Sequence, residues 1–275
     1  TSDPYDTIVN VKGVLILKYS IFSRDDSFSR SLKESLKHKI ESLDPAWVYE
    51  DSLPEFVICV GVDGTLLRAI HKYLERLDEI LFVAVHTGTL GFFTDYTANE
   101  ADDFIYDLLH KDYQIQSSRL LQICSDLDDN IYYALNEFRL GNFIRTIYLN
   151  VYIDGEIFEH TAGSGLCICT QAGSTAANRS LGGAVIDDGL EVLELTEIMP
   201  VSHIRHHSLK NPYIMKPDRI ITITGTSLKD CEGSYDHLEL DVKKMNCITV
   251  TSSLREVRFA RLKPYSYLKR LRNLY

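Results

Sequence analysis

The chain of 275 residues lacks any apolar run near the roughly 20 residues that a membrane-crossing helix needs. It also lacks the charged-then-apolar opening of a secretory signal. Both absences predict a cytoplasmic protein. Lys and Arg cluster only at Lys269-Arg270-Leu271-Arg272, within a formal charge of −10. Nucleic acid and anionic membranes are bound through clustered cations, so neither is an expected partner, and the short basic stretch reads as a solvated helix face. The six cysteines, at 59, 124, 167, 169, 231 and 247, form no C-x-x-C pair and fall mostly in apolar runs. Buried reduced thiols are expected rather than a disulfide or zinc framework. Cys167 and Cys169 share a strand face, but two thiolates without two further ligands do not make a site. His203, His206 and His207 have no carboxylate at ligand spacing, and no residue is assigned to a metal. Internal repeats and low-complexity tracts are missing as well.

What is present is the composition of an ordinary soluble protein, long enough for one large domain or two modest ones. The first part alternates strand and helix signals. Val14 to Leu17 is an apolar run, Phe28 to Ile40 has helical spacing, Phe56 to Val60 reads as a strand, Leu66 to Leu77 as a helix and Leu81 to Val85 as a strand. A helix from about Ala98 to Leu109 follows. Such βα repetition predicts a parallel, helix-covered sheet whose ligands gather at the carboxyl ends of the strands. From about Tyr113 the period changes to two, and Asp154-Gly155 between two such runs predicts a tight hairpin. The second part is therefore β-rich. Within it Ala172 to Ala176 opens a short helix to about Leu181, which Gly182-Gly183 ends. Arg255 to Leu262 alternates again, and the tail after it is expected to pack on the first part.

Phe56-Val-Ile-Cys-Val-Gly61-Val62-Asp63-Gly64-Thr65-Leu66-Leu67 is the most informative segment. An apolar run breaks at a glycine-flanked aspartate and resumes as a helix. Glycine lets backbone N–H groups approach an anion, and a helix start adds partial positive charge. Asp63 would repel a bare phosphate, so it points to a metal ion or to a hydroxyl proton to be removed, both features of phosphoryl transfer. The plain alternative is a βα turn with an aspartate at a helix N-cap.

Asn136 and Glu137 are adjacent polar residues in a β-like run. Either one of them turns into the protein or a cleft, where the pair would suit the cis hydroxyls of a ribose, or both are solvated on an edge strand. Gly173-Ser174-Thr175 is a second anion or ribose-phosphate candidate, or else an N-cap by Ser174 or Thr175. Tyr235-Asp236-His237 sits in a strand pattern, where Asp236 and His237 could pair with each other or meet a ligand.

Taken in order, these segments resemble the NAD kinase family, in particular the shorter kinases of Gram-positive bacteria. The resemblance runs from about residue 54 to 270. It rests on Gly61-Val-Asp-Gly-Thr65, Arg76-Leu-Asp-Glu-Ile80, Val85-His-Thr-Gly-Thr-Leu-Gly-Phe-Phe-Thr-Asp95, Ala134-Leu-Asn-Glu137, Gly165-Leu-Cys-Ile-Cys-Thr170, Gly173-Ser-Thr-Ala176, Leu181-Gly-Gly-Ala184, Asp236-His237 and Val257-Arg-Phe-Ala-Arg261. It implies an NAD kinase-like two-domain fold. An α/β nucleotide-phosphate-loop domain with a parallel sheet would cover residues 1–112, completed by 262–275, and a β-rich dinucleotide-binding domain residues 113–261. It also implies transfer of the γ-phosphate of ATP, with a divalent metal such as Mg²⁺, to the 2′-hydroxyl of the adenosine ribose of NAD, in a homotetramer or dimer. On that template Asp63 activates the hydroxyl, while Gly61, Gly64 and Thr65 form the phosphate loop. Leu90 and Phe92 line the adenine pocket, and Asn136 and Glu137 hold ribose hydroxyls. Ser164, Thr175, Ala176, Ala177 and Ser180 border the dinucleotide, and Asp236 and His237 reach a neighbouring subunit's site.

The resemblance also shows departures. Val62 replaces a glycine, Thr89 a histidine, Ala162 an arginine, Ser164 an aspartate and Ala177 a tyrosine that stacks on the dinucleotide. Three readings follow. The first is an active NAD kinase with an altered pocket. The second is a catalytically impaired relative that binds an adenine nucleotide in a regulatory role. The third is a kinase for another acceptor, since lipid kinases and phosphofructokinases share the glycine–aspartate loop.

Overall fold

The computed structural model describes residues 8–9, 16–88, 91–202 and 208–274, with only the backbone at Ile8 and Val9. Val14, Thr89, Leu90, His203, His206 and His207 lie outside the described residues. The chain divides into two compact units, one formed by Thr1–Ser117 with Glu256–Tyr275 and the other by Ser118–Arg255.

In chain order the first unit begins with β1 (Ile8–Val9), β2 (Leu17–Ser23), α1 (Ser27–Leu43), β3 (Trp47–Tyr49), β4 (Phe56–Gly61), α2 (Asp63–Lys72), β5 (Leu81–His86), β6 (Tyr96–Thr97), α3 (Ala101–His110) and the start of β7 (Tyr113–Ser125). The second contains the rest of β7, β8 (Tyr132–Ala134), β9 (Glu137–Gly141), β10 (Ile147–Ile153), β11 (Glu156–Gly163), β12 (Gly165–Thr170), α4 (Ala177–Ser180), β13 (Leu193–Ile198), β14 (Tyr213–Met215), β15 (Ile221–Thr224), β16 (Glu232–Tyr235), β17 (Leu238–Leu240) and most of β18 (Cys247–Arg261). The end of β18 and α5 (Tyr267–Arg272) return to the first unit.

The first unit is built on a parallel sheet in the order β3, β2, β4, β5 and the end of β18. Every residue of β4 and β5 is buried, as continuous apolar runs require when both faces of a sheet are covered. The register pairs Gly61 of β4 with His86 of β5, so the two strands end side by side. α1 starts where Asp26 accepts the Ser29 N–H at 2.9 Å, a side-chain cap of the first turn. The apolar spacing expected to make one helix from Leu66 to Leu77 is divided. α2 begins earlier, at Asp63, and stops at Lys72, and a 3₁₀ turn (Leu74–Arg76) follows. Tyr73 breaks the run because its backbone leaves the helical region, while its buried ring directs the hydroxyl to Ser20 and Asp51.

The basic tail corrects an expectation. α5 keeps Lys269 and Arg272 exposed but turns Arg270 inward, to 4 % exposure. Arg270 Nη2 donates to Asp95 Oδ1 at 2.6 Å and Arg261 Nη1 to Asp95 Oδ2 at 3.2 Å, with all three side chains buried. A carboxylate this deep needs cationic donors around it, and the tail provides them.

The second unit is a sandwich. One antiparallel sheet runs β14, β13, β12, β9, β16 and β17, and the facing strands are β11, β10, β15 and the start of β18. Its core draws on both, with Phe138, Leu166, Ile168 and Leu195 from the first and Leu149, Val151, Ile223 and Ile248 from the second. The period of two is plain in β10, where Ile147, Leu149 and Val151 are buried and Tyr148 is exposed. Asp154 and Gly155, at φ 53° and 82°, form the β10–β11 turn, the left-handed conformation that a type I′ turn demands. No described helix is long and apolar enough to cross a membrane, and all six cysteines are free.

Replacing Asp95 with Ala leaves two buried guanidinium groups facing each other. Breaking a buried pair in this way costs about 3–5 kcal/mol, so a urea unfolding titration of D95A is expected to show a large loss of stability.

Candidate functional site

Asp63 is the first residue of α2, at the carboxyl end of β4. Val62 before it is extended, at φ −113° and ψ 174°, so a branched side chain is accommodated without strain. A Cβ at Gly61 would lie 2.3 Å from Thr65 Oγ1. Glycine is required there by the close approach of Thr65, whose buried hydroxyl accepts the Val62 N–H at 3.3 Å. The Thr65 hydroxyl therefore closes the loop itself. Gly64 is exposed, with nothing within 4 Å of where its Cβ would stand, which leaves the helix start uncovered.

The turn after the neighbouring strand β5 closes over Asp63. The Thr87 N–H donates to the Gly61 carbonyl at 3.0 Å, tying the two strand ends together. The Asp63 carboxylate accepts the Phe92 N–H at 3.0 Å and the Phe93 N–H at 3.4 Å. A Cβ at Gly91 would sit 2.3 Å from Asp63 Oδ1, so only glycine lets the turn come this near. The half-buried Phe92 ring lies 5.8 Å from that of Tyr267. Leu90, expected beside it in an adenine pocket, lies outside the described residues.

In the second unit Asn136 and Glu137 are both buried, at 8 % and 3 % exposure. This corrects both sequence readings, one polar residue inward or an edge strand with two outward. The chain bends at Leu135–Asn136 before β9 begins, which breaks the alternation, and β9 is an interior strand between β12 and β16. Asn136 Oδ1 and Glu137 Oε2 are buried without a hydrogen-bond partner. Glu137 Oε1 stands 3.5 Å from Arg139 Nε. Burial pushes the Glu137 carboxyl up from 4.5 to about 7, Arg139 and a hydrogen bond from the Ala177 N–H oppose that rise, and the Asp236 carboxylate adds to it.

Asp236 and His237 are not in a strand. They are the turn between β16 and β17, where Tyr235 pairs with Leu238 and Asp236 adopts φ 48°. A positive φ at the first turn position suits aspartate better than most side chains. The buried Asp236 carboxylate accepts the Leu135 N–H at 2.9 Å and the Asn136 N–H at 2.8 Å, and its own N–H donates to the Glu137 carbonyl at 3.0 Å. It thus shapes the bend that presents Asn136 and Glu137. His237 is exposed.

Gly173 packs on the same bend, since a Cβ there would lie 2.0 Å from the Asn136 carbonyl oxygen. The helix expected from this segment is a 3₁₀ turn (Ala172–Thr175) followed by the four residues of α4. Neither Ser174 nor Thr175 caps it. Ser174 Oγ is buried and accepts the Ile186 N–H at 3.1 Å, and Thr175 Oγ1 donates to the Ala172 carbonyl at 3.5 Å. Ala176 and Ala177 are half-buried beside this turn, and Ser180 is exposed on α4. Ser164 lies between β11 and β12, with its hydroxyl directed to Met199 Sδ at 3.7 Å, and Ala162 is buried in β11.

Glu194, Asn178 and Thr196 form a buried polar network that sequence alone does not reveal. Glu194 accepts from Asn178 Nδ2 at 2.9 Å and from the Ala184 N–H at 2.6 Å, and Thr196 Oγ1 donates to Asn178 Oδ1 at 2.9 Å. It fixes α4 and the glycines after it. Gly91 and Asp95 were also legible only as parts of a motif, because nothing local marks a buried ion pair.

The comparisons agree with this architecture. The model of the ATP-NAD kinase C-terminal domain matches residues 129–262. The chain is 35 % identical over 260 residues to the NAD kinase of Staphylococcus carnosus, covering 93 % of this chain and 96 % of that protein. It is 33 % identical to the NAD kinase of Geobacillus stearothermophilus, covering 94 % and 96 %. So little is left unmatched that most of the first fifty residues are included, beyond the span expected from the motifs. Among solved structures, yeast NADH kinase complexed with NADH aligns with a TM-score of 0.82 at 17 % identity over 98 % of this chain and 93 % of that one. An NAD kinase from Archaeoglobus fulgidus in complex with ATP aligns at 0.68 and 21 % identity, over 94 % and 97 %. An α/β unit with a parallel sheet and a β-rich unit make up the fold that this chain shares with these two structures. The chain belongs to the NAD kinase family.

Glu137 makes stability depend on pH. Between about pH 4.5 and 7 the unfolded chain ionises this carboxyl while the folded chain keeps its proton, so the folded state loses stability as pH rises through that window. Glu137→Gln removes the titration. Its stability relative to wild type is expected to improve by about 1–3 kcal/mol between pH 4.5 and 8, read from urea unfolding at both values.

Proposed function

We propose that this protein transfers the γ-phosphate of ATP to the 2′-hydroxyl of the adenosine ribose of NAD, giving NADP and ADP. The observation that carries this reading is the adjacent pair of buried, unpartnered acceptors, Asn136 Oδ1 and Glu137 Oε2. A buried acceptor without a donor costs about 1–3 kcal/mol, and two neighbouring ribose hydroxyls would supply the missing donors. In this reading the first unit is the nucleotide-phosphate domain and the second the dinucleotide-binding domain.

Asp63 is the base. Each carboxylate oxygen receives one backbone N–H, from Phe92 or Phe93, and retains lone pairs for a hydroxyl proton. The 2′-oxygen forms a bond to the γ-phosphorus, the bond from that phosphorus to the β–γ bridging oxygen breaks with its electrons going to ADP, and the hydroxyl proton passes to Asp63. The open helix start at Gly64 offers its N–H groups and partial charge to phosphate. Among the described residues no group of three or more His, Cys, Asp and Glu is placed to hold a metal. A phosphate-bound Mg²⁺ asks for only one or two carboxylates beside the triphosphate oxygens, a demand that Asp63 fits. Such a cation neutralises charge on the β- and γ-phosphates when bound.

The same reading has the protein act in the cytoplasm as a dimer or tetramer, with small nucleotides as its other partners. The exposed Tyr148, Ile157 and Phe158 of β10 and β11 offer apolar surface for self-association. A regulatory relative without catalysis finds no support. Asp63, Asn136 and Glu137 are all present, and Val62 leaves the loop unstrained.

Mg²⁺-ATP-dependent formation of NADP by the purified protein tests the proposal. Asp63→Asn is expected to lower kcat at least about 10²–10⁴-fold with little change in NAD affinity, whereas Asn136→Ala is expected mainly to raise the KM for NAD. A wild-type protein without turnover would overturn it.

A further inference from the structure

Three successive carbonyl groups in the turn over Asp63 are each held by a side chain from the carboxy-terminal segment. Tyr265 Oη donates to the Phe92 carbonyl at 3.4 Å, Arg261 Nη1 to that of Phe93 at 3.1 Å and Arg270 Nη2 to that of Thr94 at 2.9 Å. Arg261 and Arg270 also meet on Asp95, and both guanidinium groups lie over the Tyr265 ring, at 4.4 and 4.3 Å. The Phe92–Tyr267 and Phe93–Phe259 ring contacts fix the side chains of the same turn. On its other edge the turn presents the Phe92 and Phe93 N–H groups to the Asp63 carboxylate. The Gly91 N–H donates to Thr94 Oγ1 at 3.0 Å and closes the turn on itself.

We propose that the carboxy-terminal segment positions Asp63, with Tyr265 and Arg270 as positioning residues acting through the backbone of residues 92–94. This rests on the reading of Asp63 as the base. The peptide units are planar and rigid, so the Phe92 carbonyl held by Tyr265 orients the Phe93 N–H of the same unit toward Asp63, and the Phe93 and Thr94 carbonyls held by Arg261 and Arg270 fix the two units that follow. Neither Tyr265 nor Arg270 touches substrate in this account. A carboxylate that must meet a hydroxyl along the line of phosphoryl transfer loses rate when its direction is relaxed, and displacement by 1 Å can cost 10²-fold. Lysine in place of Arg270 keeps the charge beside Asp95 but loses the planar fork that spans Asp95 and the Thr94 carbonyl. Phenylalanine in place of Tyr265 keeps the ring under both guanidinium groups and loses only the hydroxyl.

The test compares Tyr265→Phe, Arg270→Lys and the double variant with wild type and with Lys269→Ala, an exposed neighbour on the same helix. Two readouts are used. Hydrogen–deuterium exchange of the peptide spanning residues 91–96, followed by mass spectrometry, reports on the turn independently of activity. It is expected to quicken in the double variant and to stay at the wild-type rate in K269A. Steady-state kinetics are expected to show kcat reduced roughly ten- to a hundredfold with the KM for NAD and for ATP within about twofold, while the bulk of the chain keeps wild-type exchange. Faster exchange with unchanged kcat would overturn the positioning role, and so would unchanged exchange. KM rising with kcat intact would overturn it too, in favour of a binding role. If the wild type itself has no NAD kinase turnover, the proposed function fails first, and the exchange result still decides whether the segment orders the turn.

Discussion

The first unit depends on one buried carboxylate. Asp95 sits between Arg261 and Arg270, and all three are nearly sealed from solvent. Ionised groups at such depth cost several kcal/mol each to desolvate, and attraction offsets that only when the geometry is good and the remaining donors are used. Here several of the remaining donors are used, while Arg270 Nε is buried without a partner. Arg261 Nε reaches Gln116 Oε1 at 2.8 Å, Arg261 Nη1 the Phe93 carbonyl and Arg270 Nη2 the Thr94 carbonyl. Burial, with the like charge of Arg261, pulls the Arg270 guanidinium below its ordinary value, and the carboxylate beside it pulls back. Apolar side chains would cover the same space at less cost. What they would not do is grip the carbonyls of a turn that has no strand partner at those positions.

The second unit solves a similar problem with dipoles. The Asp236 carboxylate is buried. It takes the N–H groups of Leu135 and Asn136, which the bend withdraws from the sheet. Charge-assisted bonds to backbone N–H are about twice as strong as neutral ones, so one side chain stabilises both the bend and the hairpin turn on which it stands. Gly173 is the complement of this clamp. With a carbonyl 2.0 Å from where a Cβ would be, no other residue fits without moving the bend.

Much of this was legible in advance because it is local. The apolar runs of β4 and β5, the period of two in β10 and the Asp154-Gly155 turn are each a consequence of a few neighbouring residues. The conformation at Val62 was an open question, since a branched residue is strained only at positive φ, and the observed −113° answers it. The misread features are those set by residues far away in sequence. Arg270 reads as surface charge until Asp95, 175 positions earlier, is known to be its partner. Asp236 and His237 read as a strand because the flanking residues are strand residues, and only the pairing of Tyr235 with Leu238 makes them a turn. Asn136 and Glu137 look like an edge because alternation assumes a straight chain, and the bend is made by a carboxylate 100 residues away.

Two glutamates of the same unit separate structural burial from functional burial. Glu194 is fully buried and its carboxylate is occupied by Asn178 and by the Ala184 N–H, with Thr196 and Cys169 at its margin. Its pKa is raised by burial, but those donors work against the rise. Glu137 is buried almost as completely, yet Oε2 has no donor and its pKa reaches about 7. An acceptor that is both desolvated and unpaired costs stability, and an apolar side chain of similar volume would be more stable there. The same holds for Asn136 Oδ1 beside it. In the proposed function this imperfection on adjacent residues, backed by the clamp at Asp236 and the glycine at 173, is a place held ready for donors that the chain itself does not supply. The cost in stability is then the measure of what binding has to return, and in the proposed function the ribose hydroxyls are the donors that return it.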